Sequence, residues 1–164
     1  MASYAETFVH MDRDLALEFI VAFGRLEYAM KAYKLLKDKE YADPDWKTFP
    51  DHLDKATGET LGVTFYEFVR ERANDAPDVA YLMEKPARTQ TQKDGQMGWE
   101  PPYAVRDTKL LTKAIKTTRN NLFHGGKYIE GDDWQRNARL IAGSLRVIEL
   151  ILEADSDLAF HFAH

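Results

Sequence analysis

Between Asp12 and Lys39 apolar residues return every three or four positions, at Leu15, Phe19, Ala22, Phe23, Leu26, Met30 and Tyr33. That period predicts one long amphipathic helix. Leu17, Val21, Gly24, Tyr28 and Leu35 line another side, so the helix is expected to lie between two surfaces, with Gly24 allowing one of them a close approach. The second surface is either another helix of the chain or a partner subunit. Residues 41–62 are broken by Asp43-Pro44 and Phe49-Pro50 and read mainly as connection, with a short helix around Asp51 to Ala56. Thr64 to Ala73 has helical spacing at Phe65, Phe68, Val69 and Arg72, and Asp78 to Glu84 adds a turn or two before Pro86.

From Lys85 to Pro102 the chain is polar and rich in Gly, Thr, Gln and Pro, which predicts a long loop. Its Lys85, Arg88 and Lys93 either close over a bound polyanion or belong to a plain connection. The last long helix is expected to start after Gly131, with Asp132 or Asp133 as N-cap, and to run to about Glu153. Trp134, Ala138, Ile141, Leu145, Ile148 and Leu152 form its core stripe, widened by Leu140, Val147 and Ile151. The terminal segment 158–164 is apolar enough to dock on the bundle or on a partner chain. The fold class is therefore all-α, and 164 residues suit a single domain over 1–164 with a polar loop at about 85–102.

Composition narrows the setting. No apolar run is long enough to span a bilayer, and the first residues lack the basic and apolar regions of a signal peptide, so the expected location is the cytoplasm, with no membrane association. The absence of cysteine removes disulfides and thiolate metal sites. The histidines outside position 124 are scattered, with no His-Glu-x-x-His or Glu-x-x-His pair, and no glycine loop of the nucleotide-hydrolase kind occurs. Neither a metal nor a cofactor is expected.

The formal charge is -5, yet from Tyr103 to Lys127 there are six Lys or Arg against a single acid, Asp107. Arg106, Lys109, Lys113, Lys116 and Arg119 recur every three or four residues, which at about 100° per residue confines them to an arc of roughly 140°. Asn120 and His124 project into the same arc, while Leu110, Leu111, Ala114, Ile115, Thr118 and Leu122 fall opposite. A basic stripe on an acidic chain steers a polyanion to one place, although a charge run by itself is more often a solvated helix face. The stripe leads into Thr118-Arg119-Asn120-Asn121-Leu122-Phe123-His124-Gly125-Gly126-Lys127. Arginine offers a permanent forked charge to phosphate, and histidine accepts and donates a proton near neutral pH. If the helix stops at Gly125-Gly126, His124 lies in its last turn, where the macrodipole favours the imidazolium needed by a general acid. The plainer alternative is a C-capping histidine beside a structural arginine.

Arg119-Asn-Asn-Leu-Phe-His124 resembles the R-x4-6-H signature of the HEPN superfamily, and Phe23-Gly-Arg-Leu-Glu-Tyr-Ala-Met-Lys31 resembles the first-helix pattern of small bacterial members. The resemblance implies a HEPN-like up-and-down bundle of four to five main helices, usually dimeric. In it two motifs face each other and form a metal-independent endoribonuclease. Ribose 2'-oxygen attack on the adjacent phosphate needs a base, an acid and positive charge on the transition state, and the motif supplies one histidine per chain, so two chains complete the set. By the same resemblance His124 is the acid or base, Arg119 the phosphate stabiliser and Asn120 an orienting hydrogen-bond partner. Asn121 is in a supporting place. Glu27 either holds Arg119 or His124 in position or is an ordinary flanking carboxylate.

RNA is the implied ligand, bound by Arg106, Lys109, Lys113, Lys116 and Lys127, with stacking by Trp99, Tyr103 or Phe123 as a further expectation against a core or interface role. A homodimer in a toxin or phage-defence setting, with an antitoxin or defence-system partner, completes what the resemblance implies. Toxins paired with a nucleotidyltransferase antitoxin commonly carry a tyrosine two residues after the histidine; this chain has Gly126 there and Tyr128 displaced, so tyrosine nucleotidylation is not expected. The rival reading is a catalytically silent HEPN-like module that binds RNA or protein.

Overall fold

Asp12 caps the first helix, α1 (Arg13–Ala32), by accepting a hydrogen bond from the amide of Leu15 at 3.0 Å. The computed structural model describes residues 11–123 and 133–164. Phe19, Phe23, Leu26 and Met30 are buried, with Leu15, Ala22 and Tyr33 packed beside them, as their spacing predicts. The helix nevertheless ends well before Lys39. Lys34 adopts a left-handed φ of 68°, its amide donates to the carbonyl of Lys31 at 3.0 Å, and the amide of Leu35 reaches back to Met30 at 2.8 Å. That is the hydrogen-bond pattern of a Schellman stop, made here by a lysine where glycine is usual, so no glycine marked it in the sequence.

The segment expected to be mainly connection holds a full helix, α2 (Phe49–Leu61), closed by Gly62 at φ 73°. Pro50 lies in its first turn, where a missing N–H costs nothing, and so starts the helix instead of breaking it. Helix α3 (Phe65–Arg72) follows, with Thr64 and Glu67 forming a reciprocal capping box, and a 3-10 turn over Ala73–Asp75 leads to α4 (Pro77–Glu84).

The polar stretch taken for a long loop contains a two-stranded antiparallel hairpin, β1 (Gln90–Lys93) and β2 (Gln96–Trp99), in register from Gln90 opposite Trp99 to Lys93 opposite Gln96. Asp94 and Gly95 turn it with φ values of 52° and 77°, the paired positive φ of a type I' turn.

Helix α5 (Thr108–Phe123) buries Leu111, Ala114, Ile115 and Thr118, with Leu110 and Leu122 half-buried, matching the apolar side foreseen. Thr108 at its start donates to Asp54 of α2 at 2.5 Å and accepts from the amide of Tyr66 at 3.0 Å, so one hydroxyl joins three helices. Helix α6 (Asp133–Ala154) is buried along Leu140, Ile141, Val147, Ile148, Leu150 and Ile151, a stripe rotated from the expected one, and Trp134 stays on the surface. The Gly125-Gly126 stop and the Asp132 N-cap lie outside the described residues, as does the side chain of Asp133. Gly143 explains the rotation, because a Cβ there would overlap the backbone carbonyl of Asp78, so α4 rests directly on the backbone of α6.

The terminal segment docks as α7 (Ser156–Ala163) against α1, with Leu158 buried and the Phe162 carbonyl accepting from Arg25 Nε at 2.9 Å. Asp155 caps α7 through the amides of Asp157 and Leu158, and its other oxygen meets His52 Nε2 at 2.6 Å. Seven α-helices and one hairpin thus make the described chain mostly helical, with more and shorter helices than expected. No described helix is long and apolar enough to cross a membrane.

Gly143→Ala is expected to cost about 1–3 kcal/mol, since backbone and not a flexible side chain must yield. Lys34→Gly should add about 0.5–1 kcal/mol by relieving the positive φ; urea denaturation of both variants checks each sign. Burial alone would raise the Asp155 carboxyl, but hydrogen bonds from His52, Leu158 and Asp157 overcome it and hold it below the usual carboxylate range. A depressed folded value stabilises the protein above about pH 4, the unperturbed range for Asp, and that contribution is lost as pH falls through the depressed value. Wild type and Asp155→Asn should therefore differ most near neutrality and converge in acid, read by denaturant midpoints across a pH series.

Candidate phosphate-handling site

The site is built where the C-terminal turns of α5 cross the middle of α1. Arg119 is half-buried, and its guanidinium stands 5.3 Å from the ring of Phe23 on α1 and 4.8 Å from the ring of Phe123 on its own helix. Nη1 donates to Asn120 Oδ1 at 3.1 Å. No carboxylate lies within salt-bridge reach of Arg119 among the described residues. Two ring faces and an amide hold the group without neutralising it, which leaves donors for an anion.

Glu27 belongs to the same cluster by another route. Its Oε1 accepts from Trp46 Nε1 at 2.9 Å, and the Trp46 ring stacks on Phe23 with centroids 5.2 Å apart and planes 13° from parallel. Glu27 and Arg119 thus flank one aromatic pair, and the carboxylate orients the indole and not the arginine. Asn121 turns inward. It is buried and donates to the carbonyl of Arg88 at 3.0 Å, pinning the chain ahead of the hairpin to α5. Beneath it a crevice lined by Ala87, Thr118, Asn121, Asn137 and Leu140 has a volume of about 20 Å³, room for a water and not for a nucleotide.

The basic stripe divides in two. Lys109 and Lys116 are exposed on α5 with no ion pair among the described residues, and Arg106, also exposed, sits ahead of the helix instead of on it. Lys113 is engaged: its Nζ is 2.7 Å from Glu100 Oε2 and 4.6 Å from the centre of the Tyr103 ring. Glu100 also accepts from the amide and hydroxyl of Thr89, at 2.8 and 3.0 Å, so it fastens both ends of the hairpin segment to the stripe. Burial acts to raise the Glu100 carboxyl, but the Lys113 and Thr89 bonds prevail and hold it below its ordinary range. The Tyr103 hydroxyl is pushed up to about 12 by burial and by the negative charge of Glu100. Tyr103 donates to the carbonyl of Ala87 at 3.3 Å, while Phe123 is exposed at the site's edge and Trp99 is half-buried on β2.

His124 and Lys127 lie outside the described residues. Of the residues singled out in the sequence, the structure therefore brings Arg119, Asn120 and Glu27 to one place, gives Asn121 a structural bond, strings Lys109 and Lys116 away from them along α5, and leaves Arg106 ahead of that helix. It adds Phe23, Trp46 and Glu100. Phe23 falls in the core stripe and opens the first-helix pattern without being a site candidate, Trp46 sits in a stretch that reads as connection, and Glu100 precedes Pro101-Pro102 without helical spacing to Lys113, so no periodicity points to it. The one close histidine–carboxylate pair among the described residues, His52 with Asp155, is a helix-capping contact. No described group of three His, Cys, Asp or Glu is placed to hold a metal ion.

No family model matches the chain, and no solved structure matches it. A curated relative is linalool 8-monooxygenase of Pseudomonas putida, 32% identical over 87 residues. The match takes in 50% of this chain and 19% of that protein, so the chain spans about a fifth of the relative's length. A likeness of that extent assigns the chain to no family.

Proposed function

We propose that the chain is a metal-independent endoribonuclease of the HEPN type that works as a homodimer, with Arg119, Asn120 and His124 of each copy in a composite site. The observation that carries this reading is the state of Arg119: half-buried, oriented by Asn120 and two rings, and without a carboxylate partner among the described residues. A structural arginine at such a place would ordinarily be neutralised or spent on backbone carbonyls. This one keeps its charge for a ligand, at the end of a helix face with exposed lysines.

In the reaction one His124 removes the proton of a ribose 2'-hydroxyl as that oxygen attacks the adjacent phosphorus. The phosphorus–O5' bond breaks, and the second copy's His124 gives a proton to the leaving 5'-oxygen. The products are a 2',3'-cyclic phosphate and a 5'-hydroxyl. Arg119 donates to the non-bridging oxygens, whose charge is greatest in the transition state. Glu27 supports the site through Trp46 and Phe23. A toxin or phage-defence role, controlled by an antitoxin or another defence component, is the setting we propose for such an activity.

Wild type incubated with mixed RNA in excess chelator should yield cyclic phosphate ends, and His124→Ala should lose about 10²–10⁴-fold of the rate with its helical circular dichroism unchanged. Arg119→Lys should not restore Arg119→Ala, because an ammonium lacks the forked donor. Absence of cleavage by wild type would overturn the proposal in favour of a silent module that binds RNA or protein. Lys116→Ala should weaken RNA binding without changing preference among sequences, and should lower the salt slope by about 0.7 on single strands.

A further inference from the structure

The side of α1 opposite the core is apolar and uncovered among the described residues. Leu17 is 61% exposed, Val21 56% and Tyr28 48%, and no described residue approaches within 4 Å of the position a Cβ would take on Gly24. These four residues are spaced by four, three and four, the a/d alternation of a coiled-coil seam. The same alternation places Asp14 three residues before Leu17 and Lys31 three after Tyr28. Neither has an ion-pair partner among the described residues. The seam therefore reads Asp14, Leu17, Val21, Gly24, Tyr28, Lys31.

We propose that this seam is where the chain pairs with a second copy of itself, α1 against α1, antiparallel about a two-fold axis passing between Val21 and Gly24. Antiparallel seams match each a position with a d position of the other helix. Leu17 then meets the partner's Tyr28, Val21 fills the space left by the partner's Gly24, and Asp14 faces the partner's Lys31 at both ends. Glu18, next to the seam, falls beside the partner's Arg25. A parallel pairing would set Asp14 against Asp14 and Lys31 against Lys31, and would stack two glycines into a void. The sequence of charges thus selects one orientation, and selects a copy of this same surface as its complement.

The orientation has a consequence for the proposed nuclease, on which this part of the inference rests. Along α1 one flank of the seam carries Arg25 and the docked α7; the other carries Ile20 and Glu27, next to the Phe23, Trp46 and Arg119 cluster. A two-fold axis that reverses the helices keeps like flanks together. Both Arg119 clusters then open on one side of the pair and both α7 helices on the other, whereas a parallel pair would put the two arginines on opposite sides. Only the antiparallel pairing lets one RNA strand reach both.

The chain has no cysteine, so single cysteines report the pairing without background. Light scattering of wild type at tens of micromolar, without RNA, should give about twice the 18.9 kDa of one chain. Val21→Glu, an exposed substitution that leaves the core alone, should give the single mass. Asp14→Lys and Lys31→Asp should each raise the dimer Kd at least about tenfold, and the double variant should recover it. Under mild oxidation Leu17→Cys mixed with Tyr28→Cys should form a disulfide between chains that neither forms by itself. A monomeric wild type, a dimer indifferent to Val21→Glu, or a disulfide formed by Leu17→Cys alone would each overturn the proposal. These readouts contain no cleavage step: a dimer that fails to cut RNA refutes the nuclease reading and leaves the pairing standing, and a dimer that cuts RNA but is indifferent to Val21→Glu does the reverse.

Discussion

Phe23 ties the core to the candidate site. Its ring meets Phe19 edge-on at 6.0 Å inside the bundle, stacks on Trp46 toward the surface, and supports the guanidinium of Arg119. Because α1 must bury Phe19, Phe23, Leu26 and Met30 together, the rotation of the helix about its axis is fixed. Everything on its other sides follows from that rotation. Glu27 comes to lie beside Trp46, Arg25 reaches α7, and the row through Val21 and Gly24 faces outward. A change that turned α1 by one residue would move the arginine's aromatic support and the exposed seam together. The site and the outer surface of α1 are therefore not independent features of the chain.

What was legible in the sequence was the periodicity of elements that bury one face. The stripes of α1 and α5 were read with nearly the residues that are buried, since burial on one side leaves the 3.6-residue period undisturbed. Boundaries set by backbone hydrogen bonds were harder. Lys34 stops α1 in a conformation that lysine seldom adopts, and Pro50 opens α2 at the one place where proline helps a helix. The hairpin was missed although Asp94-Gly95 is a strong turn signal, because the strands on either side are polar and show no alternation. Along α6 the buried side is centred on Leu140, Val147 and Ile151, which the sequence offers only as widening the stripe; at Gly143 a backbone replaces a side chain in the packing and so removes the apolar signal at the point of closest approach.

The candidate site was legible to a different extent. Residue chemistry and spacing marked Arg119, Asn120 and the lysines of α5, since they share one helix. The contributions of Trp46 and Glu100 come from elements that meet α1 and α5 only in three dimensions, and nothing in their local sequence announces the meeting. For Glu27, position along α1 predicts its side of the helix and leaves its role open between the motif and a flanking carboxylate; it does not predict that an indole from a connecting segment meets its carboxylate.

The bond between Glu100 and Lys113 gives the basic helix an internal counterion. An exposed lysine that takes up a phosphate frees a salt ion into solution, and the entropy of that release makes binding depend on ionic strength. Lys113 would free a carboxylate as well, one that stays covalently attached and close by. That exchange has a mechanical side: Glu100 keeps Thr89 through its other oxygen, so the base of the hairpin stays closed while one of its ties to α5 is released. A polyanion that captures Lys113 would thus loosen the seat of an element it need not touch, with β1 and β2 freed to shift as one unit against α5.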